Sequence, residues 1–201
     1  MKYILELNMS LKNKEEVNLE STQEKIKRFV MDFNKLLEST KCKGLFLKIG
    51  DVVIYKNRKY GDSALSPINI FSKINATNSI TIRLDDKVNR IINAKTLRKN
   101  DIADMIGYLI LYAVSNNCFK MDKFIVPQIG DNITPIGMDI FRKYVSKGTV
   151  ELNNVYSYLD NELHMVKTDD SFSFVKIQRI IYCLLLICVH NNWKTFNELK
   201  D

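Results

Sequence analysis

A mainly α-helical bundle is what this sequence predicts, and three observations carry the expectation. Glycine and proline are scarce, seven and three in 201 residues, whereas an all-β chain needs them at its many turns. Lys, Leu, Ile and Asn abound, and apolar residues recur at helical spacing through several long segments. The chain is also long enough to bury a core without disulfide staples.

Residues 1 to 9 alternate loosely, as a strand would. The first firm element opens at Ser21, where Ser21 and Glu24 form an SxxE capping box, and a helix is expected over 21–37. Phe29, Val30, Phe33, Leu36 and Leu37 fall on one face of it, leaving Lys25, Lys27, Arg28 and Lys35 wet. Gly44 marks the junction with a second helix over 45–57, which ends in the basic turn KNRKYG. In the loop DSALSP, Pro67 holds Ser66 extended and opens a short helix, INIFSK.

A third long helix is expected over 79–92, with Ile80, Leu84, Val88, Ile91 and Ile92 as its stripe. NAKTLRKN breaks the pattern, and a fourth follows over 101–116. The two later prolines put a loop-rich connector or short β element near 123–137, before helices at 152–166 and 173–191. The organisation read from this is an extension over 1–44, a helical core over 45–120 and a second helical unit over 121–201. Phe172, Phe174, Tyr182 and Trp193 are expected to pack these last helices rather than to stack on bases.

The net charge of +7 arises from 30 basic and 23 acidic residues with no basic tail. Diffuse positive charge suits polyanions in general, so nucleotides, phosphosugars, DNA and RNA stay open as partners, with nucleic acid not favoured. The apolar stretch Ile180 to Val189 is far short of the roughly 20 residues that span a bilayer, and reads as a buried helix. Cys42, Cys118, Cys183 and Cys188 form no CxxC pair, which fits a reducing compartment. With Glu6 and Asn8 breaking the first apolar stretch, no signal peptide is expected, and the place is read as the cytoplasm. A homo-oligomer is compatible with all of this. His164 and His190 lack metal-ligand spacing, and neither a P-loop nor GxGxxG occurs.

Sliding the sequence on itself by 75 residues lays LDDKVNRI, from Leu84, over LDNELHMV, from Leu159, and AVSNN over CVHNN. From Leu84 to Asn117, nine of thirty-four positions are identical without a gap. Two amphipathic helix pairs with a common loop length give such matches cheaply; a duplicated unit, with the pairs at 79–116 and 154–191 related by a near two-fold rotation, is the other reading. Asp101 and Asp104 become Lys176 and Arg179.

Asp101 and Asp104, spaced i, i+3, project from one side of a helix beside Tyr108 and off its apolar stripe. Two carboxylates so placed can converge on a hard cation such as Mg²⁺, and Asp85 and Asp86 on the preceding helix can add oxygens. Arg83, Lys87 and Arg90 on that helix, with Lys56, Arg58 and Lys59 at the basic turn, are candidate phosphate contacts, as are Lys176 and Arg179. The plain alternative is charge placed favourably near a helix dipole, with Asp86 and Arg90 as an i, i+4 pair.

The run from KNRKYGDSALSPINIFSK through RLDDKVNRI to DIADMIGYLILYAV resembles the phage-type nucleotide-modification-associated domain, a group similar to MazG-like all-α nucleoside triphosphate pyrophosphatases. The resemblance covers residues 45–117. It implies Mg²⁺ held by ExxE and ExxD motifs and hydrolysis of an α,β-phosphate linkage, with Asp101 and Asp104 matching ExxD and Asp86 left opposite the neutral Asn89. On it rests the expected function, metal-dependent nucleotide pyrophosphohydrolysis through Asp86, Asp101 and Asp104. The alternative is a non-catalytic phage-type protein, acting against host defence, that sequesters a nucleotide or a nucleotide-derived immune signal. A DNA-associated structural protein is the third possibility.

Overall fold

The computed structural model describes residues 22–70, 72–119, 155–168 and 172–200. The expected strand at 1–9, Ser21 of the capping box, the connector at 123–137 and the first residues of the helix expected from 152 lie outside them. Among the described residues six α-helices pack as a bundle: α1 over 22–36, α2 (Leu45–Lys59), α3 (Ala76–Asn93), α4 (Lys99–Ser115), α5 (Val155–Thr168) and α6 (Phe174–His190). A 3₁₀ turn, Asn197–Leu199, follows, and there is no strand among the described residues. No described helix is long and apolar enough to cross a membrane.

The pairings α3 on α4 and α5 on α6 make two hairpins, joined where α4 packs on α6; α2 lies against α4. Of the stripe expected on α1, Phe29, Val30, Phe33 and Leu37 are buried and Leu36 is half-buried, and its rings fill the space between α1, α2 and α6. Phe29 stacks on Phe33 with centroids 6.2 Å apart and meets Phe46 and Phe174 edge-on at 6.4 and 6.0 Å. Phe172 lies against Tyr112 at 4.7 Å and Tyr182 is buried, so these aromatics serve the core. Cys42, Cys183 and Cys188 are buried free thiols, and burial pushes Cys42 and Cys188 up to about 12, leaving them protonated fillers of the core.

The turn between α1 and α2 closes locally. Asn34 Oδ1 accepts from the Gly44 N–H at 3.2 Å, and Gly44 takes φ +74, which a residue without Cβ adopts freely. α3 begins earlier than expected, at Ala76, because Asn75 caps it, its side chain accepting from the Asn78 N–H at 2.8 Å. The short helix expected over INIFSK does not form. Residues 67–70 and 72–75 are non-helical, Asn69 sits at φ +58, and the nucleating turn goes to Asn75 instead.

The 75-residue offset holds in the local structure. α4 and α6 start and stop 75 residues apart at both ends. Each ends on an Asn in the left-handed region, Asn117 at φ +52 and Asn192 at φ +55. Cys118 N donates to Ala113 O at 2.9 Å, as Trp193 N does to Cys188 O at 2.9 Å. Asn116 Nδ2 caps Tyr112 O at 2.8 Å, as Asn191 Nδ2 caps Ile187 O at 2.8 Å.

α1 and α2 meet most closely at Gly50, where a Cβ would stand 2.4 Å from Val30 Cγ1 and 2.8 Å from Cγ2. Valine is stiff at χ1 and cannot turn aside. Gly50→Ala should therefore destabilise the protein by about 1–3 kcal/mol through overpacking, despite the roughly 1 kcal/mol of helix propensity that alanine gains over glycine. Urea denaturation checks this, with Val30→Ala in the same chain expected to recover most of the loss.

Candidate functional site

The site grows from the α3–α4 hairpin. Burying α4 carries Asp101 inside with it, so that this carboxylate is 2% exposed and not off the apolar side as its spacing predicts. A carboxylate in such a place needs cations and donors, or it stays protonated. Arg98 Nε donates to Asp101 Oδ2 at 2.6 Å from one residue before the helix, and Lys87 Nζ on α3 lies 4.0 Å from Oδ1. One turn on, Lys87 Nζ donates to Asp104 Oδ2 at 2.8 Å, and Lys56 Nζ, from α2, donates to Oδ1 at 3.1 Å. Asp104 is thus the meeting point of three helices.

Beside it α2 and α4 leave a cleft of about 300 Å³. Its floor is apolar, from Ile49, Val52, Val53, Ala103 and Leu111, and its rim carries Lys56, Asn57, Tyr60, Ser63, Asp104 and Tyr108. α4 lines it with the small residues Ala103 and Gly107, and at Gly107 the two helices approach so closely that a Cβ would come to 3.2 Å from Val53 Cγ2. The far wall is the turn after α2, shaped by Asp62. This residue is buried at φ +58, its carbonyl accepts from the N–H groups of Leu65 and Ser66, and its Oδ2 accepts from Ser66 Oγ at 3.2 Å. Burial raises its carboxyl above the ordinary carboxylate value, against the lowering pull of Asn57, Thr22 and Ser66.

Of the residues singled out in the sequence, Asp101, Asp104, Lys87 and Lys56 come together, and Lys56 and Asp104 line the cleft. The others do not join them. Asp85 and Asp86 are exposed on α3, with Arg83 4.0 Å from Asp86, and Arg90 is exposed near the end of that helix. Arg58 bonds the side chain of Gln23, and Lys59 lies over the Tyr55 ring at 5.8 Å. Among the described residues, no three carboxylate, thiol or imidazole groups are gathered so as to hold a metal. At Asp104 an ammonium already faces each oxygen, so a divalent ion binding through either one would have to displace a lysine. The donor set does not fit Mg²⁺.

Lys176 and Arg179 belong to the second hairpin, where Lys176 Nζ donates to Met165 O at 3.4 Å and Arg179 Nη1 to Glu162 Oε1 at 3.3 Å. Glu162 and Arg179 stand 75 residues beyond Lys87 and Asp104, so the same two positions are paired with the charges exchanged. Glu162 was the residue missed in the sequence, although the offset that set Arg179 against Asp104 sets Glu162 against Lys87. Burial raises its carboxyl, opposed by Arg179, Tyr158 and Lys176. Asp160, the counterpart of Asp85, is 1% exposed. Its Oδ1 has no hydrogen-bond partner among the described residues, and burial pushes its carboxyl up to about 6.

The fold and the cleft together define a class: a protein helical and strand-free over its described residues, with a partly apolar cleft whose one acidic lining group is held by lysines. Comparison with protein families, with curated proteins and with solved structures finds no match.

Asp160 carries a pH dependence. The folded protein keeps this proton to about pH 6, the unfolded chain only to the ordinary value of 3.8, so ionising it costs stability as pH rises through that interval. Asp160→Asn should stabilise the protein at pH 7 by about 1–3 kcal/mol and leave it unchanged at pH 3.5. Thermal unfolding of both proteins across this range decides; an equal gain at both pH values would assign the effect to something other than the proton.

Proposed function

We propose that this chain is a nucleotide-binding protein that captures its ligand in the cleft between α2 and α4 and does not cleave it. The observation that carries the reading is the double occupation of Asp104, with Lys56 on Oδ1 and Lys87 on Oδ2. In this arrangement the carboxylate is a partner of the protein's own cations, and no hydrolytic step can be derived through a metal on it. What remains at the cleft suits recognition. The apolar floor offers a surface for a base, Tyr60 and Tyr108 stand at the rim as aromatic neighbours, and the Lys56 ammonium is placed for a phosphate oxygen. The cleft lies at the small end of ligand sites, which favours a compact nucleotide.

The test is a panel of nucleoside mono-, di- and triphosphates incubated with the protein, with and without Mg²⁺, followed by chromatography of the retained and free fractions. Intact ligand retained by the protein is expected. Lys56→Gln should weaken retention by removing a charge-assisted hydrogen bond worth about 1.5–3 kcal/mol. Release of cleaved product by the wild type, or undiminished retention by Lys56→Gln, would sink the proposal.

A further inference from the structure

Two lysines share Asp104, and they are not equivalent. Lys87 belongs to the α3–α4 interface, its side chain 10% exposed, with Asp101 as a second carboxylate 4.0 Å away. Lys56 belongs to the cleft, its side chain 28% exposed, and its acceptor among the described residues is Asp104. The cluster holds three cations, Lys56, Lys87 and Arg98, on two carboxylates, Asp101 and Asp104. One positive charge is therefore in excess, and the lysine most open to solvent is the one at the cleft. A cation taken away from Asp104 there leaves the carboxylate still neutralised from the other side.

We infer that Asp104 is the built-in counter-ion of the cleft, and that an anionic ligand binds by taking Lys56 from it while Lys87 keeps Asp104 paired. This rests on the cleft being the nucleotide site, and it adds a rule for how the phosphate is received. Asp104 competes with the ligand for the same ammonium. It holds Lys56 at the rim while the cleft is empty, and it repels anions that lack enough charge to win the lysine. A dianionic phosphate monoester or pyrophosphate wins this exchange more readily than a carboxylate or a phosphodiester, because it brings more charge to one ammonium. The chemical class selected is thus a nucleotide with a terminal phosphate.

The direction in which neutralising Asp104 moves affinity separates this from any direct role of the carboxylate. If Asp104 contacts the ligand or holds a metal for it, neutralising it weakens binding; if it competes, neutralising it tightens binding. Asp104→Asn alone leaves the buried Lys87 ammonium with a neutral acceptor in place of its close counter-ion and Asp101 as its charged neighbour at 4.0 Å, so the variant to measure is Lys87→Met with Asp104→Asn. The methionine keeps the apolar stem, and the pair of changes leaves the net charge of the protein as it was, so a shift in affinity cannot come from the long-range field. Circular dichroism establishes that the variant folds. Calorimetric titration with adenosine 5′-monophosphate and with inorganic pyrophosphate is expected to give binding about fivefold tighter than wild type, as releasing Lys56 from a partly exposed pair predicts. Adding Lys56→Gln to the same variant should abolish the gain. Unchanged or weaker binding by the double variant, with the wild type binding either probe, overturns the counter-ion role and leaves the cleft as the binding site. Absence of binding to both probes by wild type and double variant alike overturns the cleft assignment itself, and the counter-ion role with it.

Discussion

Two helices, α4 and α6, bury almost their whole circumference, and the remaining elements are arranged to cover them. From Asp101 to Val114 most of α4 is inside, as is nearly all of α6 from Ile177 to Cys188. A helix apolar on every side cannot rest on a surface; it has to be surrounded. The two pack on each other, α3 and α5 close one side of each, and α1 and α2 close the rest through the Phe29, Phe33 and Phe46 cluster. The cleft is a local failure of this covering. At Gly107 α4 comes so close to α2 that a Cβ would stand 3.2 Å from Val53 Cγ2, and the cleft opens beside this contact; the positions 75 residues beyond Ala103 and Gly107 carry Gln178 and Tyr182.

Full burial of α4 also explains the charges. The first turn of the helix bears Asp101, which goes inside with the apolar residues around it and has to be neutralised there. Lys87 crosses from α3 and Arg98 reaches forward from the residue before the helix. The second hairpin meets the same requirement with opposite polarity, Glu162 on α5 facing Arg179 on α6. A position pair that tolerates either order of charge is under a constraint to be paired, not to be acidic. That is a reason to assign the Lys87–Asp104 pair to holding the hairpin together. At Lys56 and the edge of Asp104 the network opens onto the cleft.

The spacing of Asp101 and Asp104 was legible as a shared direction, since residues three apart lie on one side of a helix. What stands opposite them was not legible. The same i, i+3 pattern serves a metal ion or an ammonium group equally well, and the chain supplies ammonium groups from Lys56 and Lys87, which lie 48 and 17 residues from Asp104 in sequence. Asp85 and Asp160 make the same point. They occupy matching positions in the offset alignment, yet one is exposed and the other 1% exposed.

By itself the sequence determined the helices and most of their limits, the junction at Gly44 and the 75-residue correspondence that ends each central helix on a left-handed Asn. These depend on periodicity and on caps, which act over a few residues and are written locally. Even locally, competition mattered: INIFSK lost its expected helix to the cap at Asn75. The tertiary structure alone decided which charges meet, that Asp101 is buried, that Lys56 reaches Asp104 across the α2–α4 gap and that a cleft lies there. Those outcomes depend on which helix faces which and on how closely two backbones approach, and no stretch of a few residues specifies either.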